Sequence, residues 1–74
     1  MTEPTARQLQ VLRVYIECGS LAAAGAALSL APMTVRNYLT ICRQALDVGT
    51  TLQAFVVAVQ RGLIDPNDLT IKAA

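Results

Sequence analysis

The residues of this chain with the richest hydrogen-bonding chemistry fall in one run, "LAPMTVRNYLTICRQALDVG", residues 30–49. Placed at 100° per residue on a helix, Val35, Leu39, Cys42 and Leu46 form one narrow apolar stripe, with Met33, Asn37, Thr40 and Gln44 opposite. Arg36 and Arg43, seven apart, flank that polar side together, and no acid occurs between Cys18 and Leu46. A solvated face usually mixes both charge signs, so this one-sided pattern suits an anionic, groove-bearing partner. A guanidinium forks onto guanine or pairs with a phosphate, a carboxamide matches the donor and acceptor edge of adenine, and apolar side chains lie against the thymine methyl. On that chemistry Arg36 and Asn37 read bases or grip the strand, Met33 and Ile41 meet thymine methyls, and Thr40 and Arg43 fix position on the backbone. Thr34 adds a hydroxyl at the helix start, where unpaired amides and a partial positive charge hold phosphate. For Gln44 and Thr40 a solvated helix face is an equal account.

Other chemistries lack their residues. The chain has no histidine, and its cysteines, Cys18 and Cys42, stand far apart, which leaves no zinc set and no disulfide framework. Both read as buried thiols of a reducing cytoplasm. There is no glycine-rich phosphate loop and no carboxylate pair on a helix face, and a turn explains Asp65 and Asp68 beside Pro66. An enzyme is not expected, and neither a metal nor a cofactor nor a small-molecule ligand.

The elements that must position the polar face are set by a short chain. Seventy-four residues make one domain, of a size that buries only about 60% of its unfolded surface and has no room for a deep cleft. With 54% apolar and 15% charged residues and a net charge of +1, the chain is neither a disordered tail nor a strongly basic coat. "GSLAAAGAALSLAPM" is apolar but falls short of the about 20 residues of a bilayer span, so no membrane is implied.

Four helical patterns and no strand are visible, at about 6–18, 21–29, 32–47 and 51–62, within a domain of residues 1–64 followed by a frayed tail, 65–74. Thr5-Ala6-Arg7-Gln8 has capping-box form, Ser20 caps the second helix, and Pro32 suits the first turn of the third, where its missing N–H is no loss. Gly25 lets a neighbouring backbone come close. Ser29 to Ala31 is a link short enough to force a sharp change of direction, as in a helix-turn-helix, whose second helix enters the major groove. The fourth helix carries a core stripe of Leu52, Phe55, Val56, Val59 and Leu63. Ala54, Val57 and Ala58 make it apolar on a second side, which a symmetric dimer would bury, with Arg61 at its end.

Read without a gap from about Thr5 to Ile64, the chain resembles the LuxR-type (GerE-type) helix-turn-helix domain. "TARQLQVLR" is similar to the family's threonine, arginine and valine-leucine pattern, and "LSLAPMTVRNYL" to its leucine, turn and threonine-valine-basic segment. "ALDVGTTLQAFVVAVQRGLI" is similar to its close, the most discriminating part. The resemblance implies an all-α, four-helix helix-turn-helix domain without a sheet, acting as a small bacterial transcription regulator. It would be a stand-alone regulator or a module of a larger protein, binding double-stranded DNA sequence-specifically as a homodimer through the fourth helix.

Several positions depart from the pattern. Ala31 stands where a serine cap is usual, Met33 for a lysine, Tyr38 for a histidine and Asp47 for a glycine. The outer side of helix two offers Ala22, Ala23, Ala26 and Ala27 in place of a lysine and a glutamate. Val35, which the family uses near the bases, lies on the core stripe here. So thin a charge footprint keeps a rival open: a protein-interaction module on the same fold, docking a transcription-machinery or regulator partner through apolar faces. "GSLAAAGAALSLAPMTV" is also similar to the start of a LysR-type helix-turn-helix, but no strand pair suggests a wing.

Overall fold

The computed structural model describes residues 3–65 and 67. It is all-helical, with α1 (Ala6–Cys18), α2 (Leu21–Leu28), α3 (Pro32–Leu46) and α4 (Thr51–Gln60), and holds no strand among the described residues. Three of the four helices start where a side chain satisfies an orphan amide. At α1 the Gln8 N–H donates to Thr5 Oγ1 (3.2 Å) and the Thr5 N–H to Gln8 Oε1 (2.8 Å), a complete capping box. Ser20 Oγ accepts from the Ala23 N–H at α2, and Thr50 Oγ1 from the Gln53 N–H at α4. Helix α3 is the exception, because Ala31 supplies no side-chain cap and Pro32 opens the helix.

The helices stop as abruptly as they start. Gly19, Ser29 and Asp47 each take the left-handed conformation at a helix end. For Ser29 (φ 58°) and Asp47 (φ 57°) that geometry carries a steric cost that glycine lacks. Aspartate is among the few residues with a side chain that tolerate this conformation.

Helix α3 packs against α1, α2 and α4, and α4 against α1 and α3. Its buried stripe of Val35, Leu39, Cys42 and Leu46 meets Val11, Leu12 and Val14 of α1, Ala24 of α2, and Ala54 and Ala58 of α4, with Ile64 closing the core. Between α2 and α3 the chain turns in three residues, and the Leu30 N–H reaches back to the Gly25 carbonyl at 2.8 Å. The turn lies so close over α2 that a Cβ on Gly25 would stand 2.5 Å from the Leu30 carbonyl oxygen. Glycine is therefore required there by contact, although it lowers helix propensity.

Helix α4 is rotated from the sequence expectation, although Phe55, Val59 and Leu63 of the expected core stripe do pack, half-buried, against the core. Ala54 and Ala58, assigned to a dimer surface, are wholly buried in the subunit, whereas Leu52 (64% exposed) and Val56 (45%), assigned to the core, face solvent. Phe55, Val57 and Val59 are half-buried at the flanks. The reason is size: α4 turns its methyl side chains inward against α1 and α3, where small residues allow close approach of the helix backbones.

Cys18 and Cys42 are free thiols. Cys42 is buried, donates to the Gln8 carbonyl at 3.3 Å, and has its pKa pushed from 9.0 up to about 11 by burial. Among the described residues no helix is long and apolar enough to cross a membrane. Of the expected tail only Asp65 and Asn67 are described, joined by a turn in which the Asn67 N–H donates to Asp65 Oδ1 at 2.9 Å. Asp68 and the rest of the frayed-tail expectation lie outside the described residues.

Candidate nucleic-acid interface

Burying one stripe of α3 dictates what the opposite side presents. Arg36 and Asn37 are exposed, and with Met33 (61% exposed) and Ile41 (44%) they form a continuous outward face. Thr34, Thr40 and Arg43 are half-buried at its margins. These seven residues, singled out from the sequence, share the outer half of one helix. They divide into two flanks. Thr34, Asn37 and Ile41 border a shallow depression with Tyr38, while Arg36 and Arg43 turn toward a cleft on the other side.

The arginine flank is tied together. Thr40 Oγ1 donates to the Arg36 carbonyl (3.1 Å) and accepts from Arg43 Nη2 (3.1 Å), so Arg43 is held along its own helix rather than left to sweep through solvent. The cleft, of about 280 Å³, is closed by Tyr15 of α1, Leu21 of α2, Leu39 of α3 and Thr51 of α4. Tyr15, Leu21 and Thr51 were not among the sequence candidates. They belong to three other helices, and no spacing along the chain reveals their convergence.

The start of α3 offers less than expected for an anion. Pro32 has no N–H and the Thr34 N–H is bonded to the Ala31 carbonyl at 3.0 Å, which leaves the Met33 amide. This terminus therefore has little to offer an anion.

Of the four residues assigned to a dimer surface, the structure leaves Val57 half-buried and Arg61 exposed past the end of α4, and removes Ala54 and Ala58 to the core. The apolar surface that α4 does present is Leu52 and Val56. Beside them runs an open groove of about 450 Å³ bordered by Val48, Gly49, Val57 and Asp47.

Comparison of the chain with protein-family models, with curated proteins and with solved structures returned no match.

Proposed function

We propose that the protein is a small double-stranded DNA-binding regulator that lays the outward face of α3 in the major groove. The observation that carries this reading is the joint exposure of Met33, Arg36, Asn37 and Ile41 on one side of a helix anchored by its other side to all three neighbours. An exposed helix face with a guanidinium, a carboxamide and two apolar side chains matches what base edges and thymine methyls offer. The absence of any acid from α2 through α3 removes the repulsion that a phosphate backbone would meet. The resemblance to LuxR-type domains points the same way, toward a cytoplasmic bacterial regulator.

Two basic side chains on the reading helix make a weak monomeric binder, so pairing belongs to the proposal. In this reading the exposed Leu52 and Val56 of α4 form the centre of the pairing surface, with Val57 and Arg61 at its edge. The test is binding to random-sequence duplexes at low and moderate salt. A complex that forms at low salt, dissolves as salt rises and is weakened about 10- to 100-fold by Arg36→Ala supports the reading. The rival, an interaction module without DNA affinity, rests on the exposed Leu52 and Val56. It predicts no duplex retention and partner binding that salt barely changes.

A further inference from the structure

The arginine cleft has a composition that the reading face alone does not explain. Arg36 and Arg43 of one helix flank line it together with the hydroxyl-bearing Tyr15 and Thr51, and among the described residues no carboxylate does. Among the described residues neither Arg36 nor Arg43 is ion-paired; Arg43 spends one donor on Thr40 and keeps the others. Thr51 is the first residue of α4, so its amide is one that no helical carbonyl takes. Like charges are thus gathered around a concavity with no counter-charge, next to the positive end of a helix. Leu21 and Leu39 give the same cleft apolar walls, which suit the carbons flanking an esterified phosphate better than a fully hydrated free ion.

We infer that the Arg36–Arg43 cleft, completed by Tyr15 and Thr51, is a phosphate-ester site that clamps one backbone phosphodiester of the bound strand. This rests on the proposed DNA binding and refines it. Arg36 and Arg43 position the strand, and sequence reading falls to Asn37, Met33 and Ile41. Removing a clamp arginine then weakens all sequences alike, where removing Asn37 changes which sequence is preferred.

The test titrates the isotope-labelled full chain, followed by NMR, with inorganic phosphate, with dimethyl phosphate and with a duplex. Parallel salt titrations of duplex binding use Arg43→Gln, Arg36→Gln and Tyr15→Phe. The expected result is saturable shifts of the Arg36 and Arg43 side-chain N–H and Thr51 amide signals with both anions, lost once duplex is bound. Arg43→Gln lowers the slope of log affinity against log salt by about 1 and leaves the selected sequence unchanged. Arg36 is exposed, so Arg36→Gln carries the same test if Arg43→Gln perturbs the fold. Anion shifts without any duplex binding support the site with a free phosphate ester as its ligand, and overturn the DNA reading instead. No anion shifts together with an unchanged salt slope in both arginine variants overturn the clamp, while duplex binding by the parent chain leaves the DNA reading standing.

Discussion

At the scale of single residues, Asn37 and Cys42 show how one helix serves surface and core at once. Asn37 is exposed and able to present both a donor and an acceptor to adenine. Asn37→Ala is expected to cost about 1–3 kcal/mol on the preferred duplex and little on others, as measured by competition between a selected and a scrambled site. Cys42 sits a little over one turn further along on the opposite side, with its thiol against the Gln8 carbonyl. Its raised pKa makes it a poor nucleophile, so an alkylating reagent should label half-buried Cys18 first and reach Cys42 only as the protein unfolds. The sign of the pH effect follows. Between 9.0 and about 11 the folded thiol keeps a proton that the unfolded one has lost, so this group's contribution is full below pH 9 and disappears as pH rises through about 11. Denaturant midpoints measured from pH 8 to 11 should fall, and less so for Cys42→Ala once its lower starting stability is subtracted.

At the scale of elements, the helices and their starts were legible because capping chemistry is local. Thr5 with Gln8, Ser20 and Pro32 announce their helices within four residues, and the α3 stripe follows from strict periodicity. The orientation of α4 was not legible. A helix apolar over most of its circumference offers two faces of similar hydrophobicity, and the choice between leucine and valine or alanine inward depends on how near α1 and α3 stand, which no single-helix pattern encodes. The arginine cleft was hidden for a related reason, since Tyr15 and Thr51 meet Arg36 and Arg43 only after α1, α3 and α4 have packed. Two substitutions probe the turn that sets α3. Gly25→Ala places a Cβ 2.5 Å from the Leu30 carbonyl oxygen, and should lower thermal stability despite the better helix propensity of alanine. Ala31→Ser restores the missing cap of α3, and should raise stability by about 1 kcal/mol in urea unfolding.

At the scale of the whole molecule, the proposed DNA binding depends on association, because the core is small and the charge low. On that proposal two copies pairing through the exposed Leu52 and Val56 would supply four arginines, rather than two, from their α3 helices. Leu52→Asp should shift the sedimenting species toward the monomer and weaken duplex binding while the denaturant midpoint of the monomer barely moves. A dimer that persists in Leu52→Asp would place the contact elsewhere. The central claim is that the outward face of α3 is what touches a duplex, and chemical-shift mapping of the full chain with a selected duplex at low salt tests it most directly. The account predicts the largest perturbations at Met33, Arg36, Asn37 and Ile41. Perturbations confined to α2 or α4, or none at any duplex concentration, would contradict it.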